Sequence, residues 1–183
     1  MLIDDLYRQA RSAPSDICEH LELLSRLSSL CDHVTEFGVR HGNSTAALLF
    51  GRPSFLVCYD RAPTAAVHNL TRAAQESGVH LSFFWDDVLS VDIEPTDFLF
   101  IDTVHTYEQT SAELRRHANR VRRFIAFHDT STFGDQGEKA SPEIPAPPGI
   151  WPAIAEFLRQ NRVWDILFYY TNNNGLTVIK RTN

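Results

Sequence analysis

Hydrophobic positions along the chain follow two periods, one typical of helices and one typical of buried strands. Roughly the first thirty residues have leucine and isoleucine at helical spacing, and Pro14-Ser15-Asp16 predicts a helix cap there. Short apolar runs further on predict seven strands, at 33–37, 55–59, 81–85, 98–101, 124–127, 164–170 and 176–180. Helices are predicted between most of these strands, at 43–49, 65–77, 106–120 and 151–160.

The order of these elements predicts a Rossmann-like α/β fold. Strands that alternate with helices imply right-handed crossovers and a mostly parallel sheet with helices on both faces. The last two strands flank Asn172-Asn173-Asn174-Gly175, and Asn-Gly is a strong hairpin signal. We therefore predict a seven-stranded sheet with one antiparallel strand from a C-terminal hairpin. Residues 1–183 would form one domain, in which N-terminal helices (1–32) cap a Rossmann-like core (33–183).

Net charge narrows the classes of partner. The formal net charge is −6, which argues against nucleic acid, because phosphate binding depends on clustered Lys and Arg. The chain has one arginine cluster, and we interpret it as the solvated face of a predicted helix and its end. That cluster contains Arg115, Arg116, Arg120, Arg122 and Arg123.

Other features of composition bear on location. No apolar run approaches the length of about 20 residues that a transmembrane helix needs. The first residues contain acids and do not resemble a signal peptide. Three cysteines, an odd number without metal-ligand spacing, predict free thiols. We therefore expect a cytoplasmic protein without membrane contact. The sequence leaves the oligomeric state open.

Acidic residues end five of the predicted strands. They are Glu36, Asp60, Asp87, Asp102 and Asp129. The carboxyl ends of parallel strands meet at one edge of a sheet, and ligands bind beyond that edge. We therefore expect most of these acids to line one cleft.

The turn after the first strand predicts a cofactor site. Gly38 and Gly42 permit a sharp turn and a close approach of the backbone to a ligand. Asn43 and Ser44 begin a helix whose first N–H groups favour an anion. The alternative is a turn that needs glycine only for its dihedral angles. Asp60 favours a ligand site, because a carboxylate at the end of the next strand can bind both ribose hydroxyls, which indicates an adenosine-type cofactor.

The pattern resembles the class I S-adenosylmethionine-dependent methyltransferases over nearly the whole chain. The resemblance rests on the turn Glu36-x-Gly38-x-x-x-Gly42, on Asp60 and Asp87, and on the final antiparallel strand. It implies that the glycines border the methionine part of S-adenosylmethionine, that Asp60 holds the ribose, and that Asp87, or otherwise Asp86, lies near the adenine. The cofactor-binding residues it implies are Glu36, Gly38, Gly42, Asn43, Ser44, Asp60, Asp86 and Asp87.

A narrower resemblance lies in Asp102-Thr103-Val104-His105-Thr106-Tyr107. This segment is similar to the Asp-x-x-His-x-Tyr segment of a bacterial subgroup that includes the cephalosporin-hydroxylase-like and macrolide-sugar O-methyltransferases. His128-Asp129 and Asn174-Gly175-Leu176 also resemble that subgroup. Metal-dependent O-methyltransferases have acidic ligands at the fourth and fifth strand ends, which implies that Asp102 and Asp129 bind Mg²⁺ or a similar hard cation. Thr130 departs from the pattern, because related enzymes often have Asn or a second acid there.

The resemblance implies O-methylation of a small-molecule hydroxyl, on a sugar or another natural product. A protonated hydroxyl is a poor nucleophile, so a metal can stabilise the alkoxide while a base takes the proton. We predict catalytic roles for Asp102, His105 and His128. His105 is the predicted base, with a structural histidine as its alternative, and His128 either supports Asp129 or is the second candidate for the base.

Two other functions stay open. An NAD(P)-dependent oxidoreductase normally has a Gly-x-Gly-x-x-Gly turn, whereas this chain offers Gly38 and Gly42 without a third glycine, and it has no Tyr-x-x-x-Lys pair. A non-catalytic methyltransferase-like domain would keep the fold as a binding module. In the favoured hypothesis the loop 131–149 closes over the acceptor, with Phe133 and Trp151 beside it.

Overall fold

A seven-stranded sheet forms the centre of the computed structural model, which describes residues 2–182. Its strands are β1 (His33–Phe37), β2 (Phe55–Tyr59), β3 (His80–Phe84), β4 (Thr96–Ile101), β5 (Val121–His128), β6 (Trp164–Tyr170) and β7 (Leu176–Arg181). The helices are α1 (Ile3–Ser12), α2 (Leu21–Ser28), α3 (Asn43–Phe50), α4 (Val67–Ser77), α5 (Tyr107–His117) and α6 (Ile150–Gln160), and a short 3-10 helix (Ala118–Arg120) follows α5. The predicted strands are confirmed, with bounds shifted by a few residues.

The strand order is β3-β2-β1-β4-β5-β7-β6. Strands β1 to β5 pair in parallel, whereas β7 is antiparallel to both β5 and β6. This order confirms the predicted Rossmann-like fold with a C-terminal hairpin. The hairpin turn has positive φ at Asn173, Asn174 and Gly175, a conformation that asparagine and glycine tolerate best. The order reverses between β1 and β4, which is where ligands of such sheets bind.

Two helical layers cover the sheet. Successive residues of a strand point to opposite faces, so Phe98 and Phe100 pack with α1 to α4, whereas Leu99 and Ile101 pack with α5 and α6. Both layers bury apolar side chains against the central strands β1, β4 and β5. These packed strands hold the carboxyl edge of the sheet in place.

The second face is open over β2 and β3. Residues 85–95, which link β3 to β4, form turns instead of a helix and bury Val88 and Ile93. Phe55 and Phe84 are 43% and 45% exposed as a result. An apolar run such as that of β2 is typical of a strand buried on both faces, but Phe55 does not follow this pattern. The helical cover predicted for both faces of the sheet is therefore incomplete. An open groove of 740 Å³ runs over these strands.

The segment between α1 and α2 folds against the hairpin turn. The predicted cap at Pro14-Ser15-Asp16 is wrong, because α2 begins only at Leu21, with His20 as its N-cap. The Asn173 side chain joins the two segments instead, since Nδ2 donates to the Ser15 carbonyl (2.8 Å) and Oδ1 accepts from the Glu19 N–H (2.9 Å). These bonds hold residues 13–20 beside the carboxyl edge of the sheet.

Three composition-based predictions can be compared with the structure. None of the helices within residues 2–182 combines the length and apolar character needed to cross a bilayer. The cysteines Cys18, Cys31 and Cys58 are free thiols, as predicted. The arginine cluster is a solvated face in which Arg116 pairs with Asp92 (3.1 Å) and Arg122 with Asp97 (3.3 Å).

Candidate functional site

The glycine turn lies directly against the end of β4. A Cβ atom added at Gly38 would lie 2.0 Å from the Asp102 carbonyl oxygen, and the φ of Gly38 is +88°. The Asp102 N–H donates to the Phe37 carbonyl at 2.8 Å. Only glycine fits this contact, because both the space and the left-handed backbone exclude a side chain. The turn and Asp102 therefore belong to the same edge of the sheet.

Glu36 lies beneath this edge and does not line the cleft. Its side chain is fully buried, and it accepts hydrogen bonds from Ser44 Oγ (2.6 Å) and Thr45 Oγ1 (2.7 Å). Burial raises the pKa of Glu36 to about 7, although both hydroxyls favour the ionised form. Most of the strand-end acids were expected to line one cleft. Asp60, Asp87 and Asp102 do so, whereas Glu36 does not. With Ser44, which is also buried, it joins β1 to α3 below the turn.

Asp60 holds the turn from the other side. Its Oδ2 accepts from the N–H groups of Val39 (2.7 Å) and Arg40 (3.0 Å), and its Oδ1 accepts from Ala62 N–H (3.2 Å). Burial alone would raise the pKa of Asp60, but these N–H groups lower it below its ordinary value. Asp60 is half-buried and lines the cleft, so it supports the turn while one edge stays accessible.

A cleft of 170 Å³ lies beside the turn. Its lining includes Gly38, Asp60, Asp86, Asp87, Asp102 and Gln109. The structure thus brings together four of the predicted cofactor residues and one predicted metal ligand. Asp87 also accepts the Leu89 N–H at 2.9 Å, which fixes the link after β3.

Gly42 and Asn43 face a different part of the molecule. A Cβ atom at Gly42 would lie 2.8 Å from Leu70 Cδ1, so packing against α4 requires glycine there. Both residues line a separate cavity of 230 Å³ between α1 and α4. The structure does not bring them to the cleft beside Gly38.

Two aspartates and two histidines form a cluster at the ends of β4 and β5. We call Asp102, His105, His128 and Asp129 the acid–histidine cluster. His105 Nε2 lies 3.3 Å from Asp102 Oδ1 and 3.0 Å from Asp129 Oδ2. His128 Nδ1 lies 3.4 Å from Asp102 Oδ1 and 3.6 Å from Asp129 Oδ1. The four residues predicted for catalysis and metal binding therefore meet at one point.

Burial and neighbouring charges shift the pKa values of the two carboxyl groups in opposite directions. Burial opposes ionisation of Asp102, but His105 and His128 hold its pKa below the ordinary value. Burial raises the pKa of Asp129, the negative charge of Asp102 adds to this, and the histidines compensate only in part. The carboxylates raise the pKa of both histidines against the effect of burial. The cluster is thus a compact set of coupled charges at the edge of the cleft.

A contact with a backbone carbonyl and an unusual backbone conformation hold the cluster in place. His128 is 1% exposed, and its Nε2 lies 3.1 Å from the carbonyl oxygen of Asp16, in the segment between α1 and α2. Asp129 has a φ of +60°, which is strained for a non-glycine residue. Nothing in the sequence pattern indicated that Asp16 would reach this site.

The long loop already covers His105. The Phe133 ring stacks on the imidazole with centroids 4.8 Å apart and an interplanar angle of 8°. Glu138 Oε2 lies 3.4 Å from His105 Nδ1, and the Glu138 N–H donates to the His105 carbonyl at 3.0 Å. Trp151 instead packs edge-on against Tyr169. Sequence reasoning missed Glu138, because its contact depends on the path of a loop without a motif.

Glu113 is a second residue that sequence reasoning missed. It is fully buried on α5, and its Oε1 accepts from Thr103 Oγ1 (2.6 Å) and Gln109 Nε2 (2.9 Å). Burial raises the pKa of Glu113 to about 7. Thr103 and Gln109 both line the cleft, so Glu113 orients two of its polar side chains. The four-residue spacing of Gln109 and Glu113 on a predicted helix was the available signal.

Solved structures of the same fold include several methyltransferases. A protein from Corynebacterium glutamicum superposes with a TM-score of 0.70 at 15% identity, over 98% of this chain and 90% of that one. An O-methyltransferase from Bacillus cereus in complex with SAH gives 0.64 at 16% identity, over 98% and 90%. The N-methyltransferase NodS from Bradyrhizobium japonicum gives 0.59 at 15% identity, over 90% and 96%. No protein-family model and no curated protein matches the sequence. At these identities, the comparisons establish the fold.

Proposed function

We propose that this protein is an S-adenosylmethionine-dependent methyltransferase that methylates a hydroxyl group of a small molecule, such as a sugar or another natural product. The contact between Gly38 and Asp102 is the observation that supports this most, because it joins the glycine turn and the acid–histidine cluster in one cleft. A methyl donor on the turn would lie beside an acceptor at the cluster, once the loop over His105 shifts to admit that acceptor. The B. cereus O-methyltransferase of the same fold binds SAH.

The cofactor would lie along the carboxyl edge from the cluster to β3. In this proposal the methionine part lies at the turn near Gly38, Asp60 accepts from the ribose, and Asp86 or Asp87 lies near the adenine. Backbone N–H groups hold the Asp60 carboxylate in place, and Asp60 lines the cleft. Its accessible edge would accept a hydrogen bond from a ribose hydroxyl. Glu36 and Ser44 would act only by shaping the turn.

His105 would be the general base. Its Nε2 faces the carboxylates of Asp102 and Asp129, so Nε2 carries the hydrogen and Nδ1 has the lone pair in the neutral ring. Nδ1 would take the hydroxyl proton while the oxygen attacks the sulfonium methyl and the carbon–sulfur bond breaks. Glu138 faces Nδ1 and would stabilise the imidazolium, once a shift of the loop admits the acceptor. The 1% exposure of His128 favours His105 over it as the base.

The cluster also fits the predicted cation. Asp129 Oδ1 is buried and has no hydrogen-bond partner among residues 2–182, so its lone pairs are available to a cation. Asp102 and Asp129 would hold the ion, and their oxygens suit Mg²⁺ or another hard dication. When bound, the ion would stabilise the developing alkoxide.

Calorimetry of ligand binding tests the proposed function. We expect the wild type to bind S-adenosylmethionine and S-adenosylhomocysteine, with and without Mg²⁺, and not to bind NAD. Binding of NAD alone, or of neither methyl-donor ligand, would contradict the proposal. NAD binding would support the oxidoreductase alternative.

His105→Ala tests the base. We expect it to bind S-adenosylhomocysteine as tightly as the wild type, while methyl transfer across a panel of hydroxyl acceptors falls by about 10²- to 10⁴-fold. Unchanged turnover would remove the role of His105. Cofactor binding by the wild type without transfer to any acceptor would support the non-catalytic alternative.

A further inference from the structure

We propose that His128 is itself a ligand of the cation site, through Nδ1, and that the site therefore prefers a transition-metal dication to Mg²⁺. The proposal deepens the proposed function and rests on its cation site. It changes the role of His128 from a supporting residue or second base to a metal ligand. Three groups would then share one ion: the half-buried Asp102 and the buried His128 and Asp129.

The first argument is the tautomer of His128. Its Nε2 lies 3.1 Å from the Asp16 carbonyl oxygen, and a carbonyl oxygen can only accept. Nε2 therefore carries the hydrogen. In the neutral ring this leaves the lone pair on Nδ1, which is the nitrogen that faces the acids. A carbonyl that fixes the second nitrogen of a histidine is the usual support for a metal-ligating imidazole.

The second argument is the set of polar atoms without partners. Within the described chain, His128 Nδ1 and Asp129 Oδ1 are both buried and have no hydrogen-bond partner. Atoms of Asp102, His128 and Asp129 that can bind a metal all lie within 4.8 Å of one another. This tautomer leaves no hydrogen between His128 Nδ1 and the facing oxygens of Asp102 and Asp129, so a cation there would stabilise all three electron-pair donors.

A proton on Nδ1 is the competing occupant, and the distances argue against it. Nδ1 lies 3.4 Å from Asp102 Oδ1 and 3.6 Å from Asp129 Oδ1. Both exceed the range of about 2.7–3.2 Å for an N–H···O hydrogen bond. Neighbouring ligands of an ion at about 2.1 Å are about 3 Å apart, so small shifts of these side chains would complete a metal site.

The ligand set determines the class of ion. Mg²⁺ prefers an all-oxygen octahedron, whereas imidazole nitrogen suits Fe²⁺, Co²⁺, Ni²⁺ and Zn²⁺. Two carboxylates and one imidazole should therefore bind Co²⁺ or Zn²⁺ more tightly than Mg²⁺. The position that often holds Asn or a second acid is Thr130 here, and His128 on the other side of Asp129 supplies the third ligand instead.

Metal titrations of matched histidine variants test the proposal. Co²⁺ and Mg²⁺ would be titrated separately into metal-free wild type, His128→Asn and His20→Asn. His20 is the control because it is also buried, with its ring 6.0 Å from that of His128 and its Nε2 2.9 Å from the Asn172 carbonyl oxygen. We expect tighter binding of Co²⁺ than of Mg²⁺ in the wild type and in His20→Asn.

His128→Asn should lose Co²⁺ affinity by about 100-fold or more, since even outer-shell partners of a metal contribute 10- to 100-fold. It should lose less Mg²⁺ affinity, so the preference for Co²⁺ shrinks. Equal Co²⁺ binding by His128→Asn and the wild type would overturn the proposal, and so would tighter binding of Mg²⁺ than of Co²⁺ by the wild type.

Histidine ¹⁵N NMR of the wild type keeps the proposal testable if His128→Asn does not fold. Zn²⁺ should shift the Nδ1 resonance of one histidine whose Nε2 carries hydrogen in the metal-free protein. A protonated Nδ1 without Zn²⁺, or no change in any imidazole nitrogen on addition of Zn²⁺, would contradict the proposal.

Cofactor titration separates this inference from the proposed function. S-adenosylhomocysteine binding without any metal binding would disprove the His128 site and leave the methyltransferase proposal intact. Co²⁺ binding that depends on His128, in a protein that binds no methyl-donor ligand, would do the reverse.

Discussion

The glycine turn and the acid–histidine cluster share an edge of the sheet but differ in how their charges are compensated. In the turn, protein groups satisfy each acid: two hydroxyls donate to Glu36, and backbone N–H groups donate to Asp60. In the cluster, His128 Nδ1 and Asp129 Oδ1 have no hydrogen-bond partner within residues 2–182. The turn is complete without a ligand, whereas the cluster is not.

This difference separates the structural role of an acid from its chemical role. Buried polar groups are normally hydrogen-bonded, so a turn whose acids are all paired can be explained by folding alone. The cluster has two buried polar atoms without hydrogen-bond partners, and one of them belongs to Asp129, whose backbone is strained. Folding alone does not explain this arrangement. Mutations in the turn should therefore lower stability, whereas mutations in the cluster should mainly weaken metal binding.

Gly38→Ala should give the largest loss of stability. The new Cβ atom would lie 2.0 Å from the Asp102 carbonyl oxygen, and the alanine would also have to adopt a φ of +88°. Backbone cannot yield as a flexible side chain can, so we expect the free energy of unfolding to fall by more than about 4 kcal/mol. Urea denaturation followed by circular dichroism measures this change.

Gly78→Ala is the matched control. Gly78 has a φ of +73°, but a Cβ atom there would meet no atom within 4 Å. It therefore measures the left-handed strain alone, which should amount to about 1–2 kcal/mol. Equal losses in the two variants would show that the contact between the turn and β4 adds nothing, and would remove the main support for a shared cleft.

The contrast also shows which parts of the site the sequence could predict. Strand ends follow from local hydrophobic periodicity, so Asp60, Asp102 and Asp129 were assigned to the correct edge. The contacts of Asp16 and Glu138 were not predictable, because one is a backbone carbonyl and the other depends on the path of a long loop. Periodicity gives no information about either kind of contact.

The sequence contained a signal for the open sheet face, but the open face was not predicted. The stretch between β3 and β4 has no helical periodicity, and a parallel crossover without a helix cannot cover the strands beneath it. The apolar composition of β2 suggested burial on both faces, yet Phe55 is 43% exposed. Apolar composition alone does not show which face of a strand is covered.

Glu36→Gln should change the pH dependence of stability. Burial raises the pKa of Glu36 in the folded protein to about 7, compared with 4.5 for an ordinary glutamate. The folded protein thus holds a proton that the unfolded chain releases, so this contribution is full below pH 4.5 and is lost as the pH rises through 7. The wild type should lose about 3 kcal/mol from this group by pH 8.

In Glu36→Gln the position cannot titrate, and the loss between pH 4.5 and 8 should be smaller by that amount. Urea denaturation across this range measures it, with Glu76→Gln on the exposed face of α4 as the control. The control should follow the wild type. An unchanged pH dependence in Glu36→Gln would mean that the buried carboxyl in the turn does not hold a proton, and that its two hydroxyl donors stabilise the charged form.

Asp60→Asn and Asp129→Asn give the smallest effects on stability and the closest comparison of the two regions. Asp60→Asn removes the charge that accepts from Val39 and Arg40, and turns an amide N–H toward one of the donors. We expect a loss of about 1–2 kcal/mol in the free energy of unfolding. Asp129→Asn relieves repulsion from Asp102, and asparagine tolerates the positive φ, so stability should stay within about 1 kcal/mol of the wild type.

Metal binding should rank these two variants in the reverse order, with the larger loss in Asp129→Asn. Asp129→Asn should lose divalent metal binding, because the site loses one of two carboxylates, whereas Asp60→Asn should retain it. Urea denaturation and Co²⁺ calorimetry on both proteins make the comparison. If Asp129→Asn lost more stability than Asp60→Asn and bound Co²⁺ normally, the cluster would be the structural region. The incomplete pairing of its atoms would then reflect tolerance of an unsatisfied charge and not a place for a ligand.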